Sequence, residues 1–122
     1  MVIDSNAIIY AADRNGKTFD YLQKRRLDIC VSDVSRVEVL GYGSLSSQDE
    51  LFFTHFFTQI RLIAISNGIV EKAIEVRRSK KMSLGDAFIA ATALILDEPL
   101  FTSNFDDFKH IKDLKLIDGR KI

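Results

Sequence analysis

Scarcity of cysteine and proline, and the absence of tryptophan, set the first limits on this 122-residue chain. Cys30 is the only cysteine, so neither an intrachain disulfide nor a thiolate-based zinc site can be built. Set in Ile29-Cys30-Val31, it reads as a small buried hydrophobe. One proline and six glycines leave no Pro/Gly-rich linker, and no repeat divides the chain. Against ~150 residues per domain, one domain over 1–122 is expected. The longest near-apolar run, Ala87 to Leu96 broken by Thr92, falls short of the ~18 residues of a membrane span, so no membrane association is expected. Met1-Val2-Ile3-Asp4 reaches a carboxylate at once, with neither the basic start nor the apolar stretch of a secretory signal, and a cytoplasmic protein is expected. Charge of one sign is also missing. Seventeen Lys and Arg balance seventeen Asp and Glu, so no global field draws the protein to a polyanion. The dense basic patches, Lys24-Arg25-Arg26 and Arg77-Arg78 with Lys80-Lys81, read as helix ends, where cations complement the macrodipole, with a polyanion contact as the minor reading.

What is present is an ordinary globular composition, 47% hydrophobic and 28% charged, enough to bury about two thirds of the unfolded surface. Two periodicities alternate. Val2-Ile3, Asp28 to Val31, Leu62 to Ile65, Leu100 to Thr102 and Leu114 to Ile117 read as short strands. Asn6 to Ala12, Phe19 to Arg26, Ser32 to Leu45, Gln48 to Ile60, Ile69 to Lys80 and Leu84 to Leu96 read as helices. Short strands separated by helices predict an α/β fold with a parallel sheet covered on both faces. The Leu84 to Leu96 helix, apolar on every side, is expected at the centre.

Four carboxylate-bearing places interrupt this apolar pattern. Asp4, in Asp4-Ser5-Asn6, ends the first strand, at the sheet edge where parallel folds bind ligands; the bland alternative is a helix cap. Glu38 lies among valines, and Ser35-x-x-Glu38 fits a capping box. Ser83 stands three residues before Asp86 in the same relation, yet Ile89, Ala90 and Ala93 place Asp86 on an apolar helix face. A buried carboxylate must be paired, hydrogen-bonded or metal-bound. Thr102-Ser103-Asn104-Phe105-Asp106-Asp107 follows the fourth strand as an acidic loop, or simply as an Asx-rich turn into a short helix. Acids gathered with few basic partners repel one another, and a hard divalent cation is the usual resolution.

In order along the chain, Val2-Ile3-Asp4-Ser5-Asn6, Ser35-Arg36-Val37-Glu38-Val39-Leu40, Leu84-Gly85-Asp86-Ala87-Phe88-Ile89-Ala90-Ala91-Thr92-Ala93 and Thr102-Ser103-Asn104 with Asp107-Phe108 resemble the motifs of PIN domains, in particular the small VapC-like toxins. The third motif is the most specific. The resemblance implies a PIN-like three-layer α/β/α sandwich with a short central parallel sheet, and it makes Asp4, Glu38 and Asp86 the core acids. Gly85 stands where the family often has proline. The fourth acid falls at Asn104 or Asp107; Asp107 is favoured, with Asn104 as a neutral ligand or orienting group.

On this resemblance the function is Mg²⁺- or Mn²⁺-dependent hydrolysis of RNA phosphodiester bonds by the toxin of a toxin-antitoxin pair. Asp4, Asp86 and Asp107 would hold metal, directly or through water, and Glu38 would position or deprotonate the attacking water. Ser5, Asn6 and Thr102 would orient the carboxylates. His55 and His110 are expected to be structural or solvent-facing. Two alternatives remain: a PIN module that binds RNA or protein without cutting, and an aspartate-nucleophile phosphatase, which is disfavoured because Asn6 stands where a second acid is normal. The stripe Phe52, Phe53, Phe56, Phe57 and Ile60 is expected to exceed what the core needs and to supply an interface. The resemblance gives the partners: a second copy in a homodimer, and a VapB-like antitoxin whose amphipathic segment brings an Arg or Lys to the acids.

Overall fold

The computed structural model describes all residues, Met1–Ile122. Five strands, β1 (Val2–Ile3), β2 (Cys30–Ser32), β3 (Arg61–Ile63), β4 (Leu100–Thr102) and β5 (Leu116–Asp118), form one sheet in the order β3-β2-β1-β4-β5. Every neighbouring pair is parallel, with Val2 opposite both Cys30 and Leu100, and Ile3 opposite Phe101. The helices are α1 (Ser5–Tyr10), α2 (Lys17–Lys24), α3 (Asp33–Leu40), α4 (Ser47–Gln59), α5 (Asn67–Ser79), α6 (Leu84–Leu96) and α7 (Phe105–Phe108).

Strand alternation divides the core into two layers. Ile3, Val31 and Phe101 point to one side, where Ala7 and Ile8 of α1, Leu22 of α2 and Phe53 and Phe57 of α4 cover them. Val2, Cys30 and Leu100 point to the other, against Val76 of α5, Ile89, Ala90 and Ala93 of α6, and Phe108. The result is the expected α/β/α sandwich around a short parallel sheet, with Cys30 inside it.

Three local readings need correction. The helix expected over Ser32 to Leu45 stops at Leu40, because Gly41 leaves the helix and Tyr42-Gly43 follow it into a turn. The cap of α3 is Ser32, whose Oγ accepts from the Val34 N–H at 3.2 Å, so Ser35 and Glu38 form no capping box and both side chains are available elsewhere. The helix α6 is not shielded on all sides. Its buried residues are mostly small, Ala87, Ala90, Ala91 and Ala93, which lets the sheet and α5 approach closely, while Leu84 and Ile95 stay exposed on its outer side.

The aromatic stripe of α4 is also placed differently from expectation. Phe53 and Phe57 are buried, and Phe52, Phe56 and Ile60 pack partly buried on the same layer. The sheet face carrying Ile3, Val31 and Phe101 needs this cover, so the stripe is mainly core. The exposed large apolar side chains lie outside the stripe and include Val37, Leu51, Ile65, Ile74 and Leu84. The basic runs do end helices: Lys24 closes α2, and Arg77 and Arg78 lie in the last turn of α5.

Candidate active site

The strand order changes direction between β1 and β4, and the crevice at their carboxyl ends is where an open parallel sheet receives ligands. Asp4 leaves β1 there. Its backbone stands at the N-cap of α1, yet its carboxylate makes no capping bond. Instead the Thr102 hydroxyl, at the end of β4 and 98 positions away, donates to Asp4 Oδ2 at 2.8 Å. Thr102 Oγ1 also accepts from the Asn104 N–H at 2.9 Å, so one hydroxyl fixes both the carboxylate and the turn into α7. Asp4 is 2% exposed. Burial, aided by the charges of Asp86 and Glu38, lifts its carboxyl from 3.8 to about 6 against the lowering effect of the Thr102 bond.

Glu38 reaches the same edge from α3. The Ser5 hydroxyl lies 2.7 Å from Glu38 Oε1 and 2.9 Å from Ser35 Oγ, with Ser5 and Ser35 both buried. Ser5 has one proton, so a consistent network has Ser35 donating to Ser5 and Ser5 to Glu38. Asp86 stands in the first turn of α6, where the Ser83 hydroxyl accepts from its backbone N–H at 3.1 Å. Burial raises the Asp86 carboxyl, and the charges of Asp107 and Glu38 add to the effect. Asp107 projects from α7, whereas its neighbour Asp106 is taken up by Lys109 at 3.2 Å.

The structure therefore brings Asp4, Glu38, Asp86 and Asp107 into one electrostatic neighbourhood at the sheet edge. Ser5 and Thr102 bond to acids as expected. Asn104 stands at the N-cap of α7 without a side-chain capping bond, and Asn6 is half-buried on α1 and bonds to none of the acids. None of the four acids has a cationic partner, because every ion pair uses another carboxylate: Asp20, Asp33, Glu75, Asp97, Glu98, Asp106 or Asp118.

Such a set of oxygen donors, free of thiolate and imidazole, suits Mg²⁺ or Mn²⁺. No three of the acids stand close enough to enclose an ion by themselves. Mg²⁺ keeps several waters and takes only one or two carboxylates directly, so an ion here would be met in part through water.

The contact of Ser35 with Ser5 has no signature in the sequence, where the i, i+3 relation of Ser35 to Glu38 reads as a cap. His110 is half-buried with both ring nitrogens unbonded, and burial and the Lys80 charge lower its pKa while Asp107 opposes them. His55 is exposed on α4, as expected.

A parallel α/β domain with a set of acids that lack cationic partners at its topological switch point, Asp4 buried, Asp86 half-buried and Glu38 and Asp107 exposed, defines the class. The PIN-domain family matches residues 1–114, and the chain belongs to it. Solved structures share the fold over nearly the whole chain. A chain of VapBC2 from Rickettsia felis, bound to a promoter DNA fragment, superposes with a TM-score of 0.82 at 21% identity, covering 96% of each chain. A toxin-antitoxin complex from Klebsiella pneumoniae gives 0.77 at 25% identity, covering 95% of this chain and 94% of that one. FitAcB from Neisseria gonorrhoeae gives 0.80 at 14% identity, covering 99% of each. No curated protein sequence matches the chain.

Proposed function

We propose that this PIN-domain protein is a Mg²⁺- or Mn²⁺-dependent endoribonuclease, the toxin of a toxin-antitoxin pair, acting in the cytoplasm as one domain. The observation that carries the reading is Asp4: a carboxylate 2% exposed, at the switch point, with other acids and no cation around it. Its charged form is costly there without an ion. Asp4, Asp86 and Asp107 would hold the ion, directly or through water. When bound, the ion neutralises charge that develops on the phosphoryl oxygens and the leaving oxygen.

The chain's own groups do the rest. Thr102 holds Asp4 Oδ2 in place, and Ser83 holds the backbone that carries Asp86. Ser5 fixes one oxygen of Glu38, which leaves the other to align the attacking water and take its proton. Asn104 supplies a neutral contact beside Asp107. RNA in preference to DNA rests on the resemblance to VapC-like toxins, and the toxin-antitoxin complexes among the structural relatives support an antitoxin as partner.

The test is a labelled RNA incubated with purified protein and Mg²⁺ or Mn²⁺, with and without EDTA. Cleavage that EDTA abolishes, and that Asp4→Asn and Asp86→Asn lose while still folding, is expected. Full cleavage by Asp86→Asn would place the site elsewhere. Metal binding with no cleavage of any RNA would leave a binding module.

A further inference from the structure

The first turn of α6 contains a glycine that the backbone does not require. No glycine in the molecule has a positive φ, and Gly85 lies inside the helix, where glycine is less favourable than alanine. Its surroundings give another reason. A Cβ at Gly85 would lie 2.5 Å from Glu38 Oε2, 2.9 Å from Cδ and 3.1 Å from Oε1. Real Cβ atoms do not approach so closely, so a side chain there and the present position of the Glu38 carboxylate exclude one another. On its other side, the carboxylate receives the Ser5 hydroxyl, 2.7 Å from Oε1. Glu38 is thus held between a hydroxyl from α1 and a bare Cα from α6.

We infer that Gly85 is a positioning residue for Glu38. The missing side chain lets the carboxylate close on the N-terminal turn of α6 next to Asp86, where the helix dipole favours its charge, and so fixes Glu38 within the acid cluster. Glu38 sits at the far end of a flexible side chain, so a methyl group at Gly85 displaces it without disturbing the backbone of either helix. Helix stability and site geometry therefore oppose one another at this position, since alanine favours α6 and disfavours the seat of Glu38. The inference rests on the nuclease reading for its consequence and on geometry alone for its cause.

The experiment is Gly85→Ala, alone and in a Glu38→Ala background. Gly85→Ala is expected to melt no lower than the parent protein, to cleave RNA about tenfold more slowly or worse because the group that aligns the attacking water is displaced, and to bind Mn²⁺ as the parent does, since Asp4, Asp86 and Asp107 hold the ion. In the Glu38→Ala background the same exchange is expected to leave the residual cleavage rate unchanged. Gly85→Ala combined with Glu38→Asp, a shorter acid that stops before the added methyl, is expected to recover part of the cleavage rate. A crystal structure of Gly85→Ala is expected to show the Ser5 to Glu38 bond broken. An unmoved Glu38 in that structure overturns the inference, as does an equal loss in the Glu38→Ala background. If the parent protein neither binds Mn²⁺ nor cuts RNA, the nuclease reading fails, and the position of Glu38 in the variant structure still decides the role of Gly85.

Discussion

Asp4 shows how one side chain couples stability to function. Its carboxyl titrates near 3.8 in an open chain and at about 6 in the folded protein. The native state therefore binds this proton more tightly than the unfolded state does. Stability from Asp4 is fully present below pH 3.8 and is lost as pH rises through about 6, a change of about 3 kcal/mol at ~1.36 kcal/mol per pH unit. Denaturant titrations of the metal-free protein should show this loss between pH 4 and 7, and Asp4→Asn should remove most of it and be the more stable protein at pH 7. A pH dependence unchanged by Asp4→Asn would mean that the buried charge is compensated in some other way. Asn104 and Asp107 are separated by a second comparison. Asp107 raises the Asp86 carboxyl through its charge, so Asp107→Asn should weaken Mn²⁺ binding, by calorimetry, more than Asn104→Ala does. The reverse order would move the fourth contact to Asn104.

At the level of elements, serine starts four of the helices: Ser32, Ser46, Ser66 and Ser83 each accept a backbone N–H from the first turn. Loss of such a cap costs about 1 kcal/mol. Two of them provide a controlled pair. Ser46→Ala should lower stability by about that amount and leave cleavage unaltered, because α4 carries none of the acids. Ser83→Ala should cost a similar amount and also weaken Mn²⁺ binding, since Ser83 Oγ holds the backbone N–H of Asp86. Equal Mn²⁺ affinity in the two variants would detach the cap of α6 from the site. The same elements explain the fate of the α4 stripe. Spacing in the sequence shows that Phe52, Phe53, Phe56 and Phe57 share a face, but how much of that face the sheet covers depends on where α4 lies.

Across the whole molecule, parallel strands deliver the acids to one edge, while apolar surface at Val37, Ile65, Ile74 and Leu84 remains exposed nearby. Ile74, Leu84 and Phe88 line one groove, and Leu84 and Phe88 continue into a second with Val37 and Glu38. Exposed apolar area of this kind marks an interface, and the second copy expected from the resemblance would have this surface, more than the α4 stripe, to cover. Light scattering at micromolar concentration should report a dimer, and Ile74→Glu should shift it to monomer. A monomeric parent protein would reject the interface and leave the acid site intact. The antitoxin segment, laid on the middle helices, would then bring its basic side chain to carboxylates that have no cation of their own.

The sequence by itself determined the fold class and most helices and strands, and it marked the candidate acids, because those features are local: periodicity marks an element, and a carboxylate inside an apolar run stands out wherever the run folds. It also determined that Cys30 would be buried and that the basic runs would close helices. Tertiary structure decided everything that depends on which residues meet. Ser35-x-x-Glu38 carries the signature of a capping box, but Ser32 starts the helix one turn earlier and frees both residues to meet Ser5 from α1. The contact between Gly85 and Glu38 joins positions on α3 and α6 that no spacing rule connects. Helix ends and burial depend on the competition between neighbouring surfaces for the same apolar residues, and only the packed chain resolves that competition.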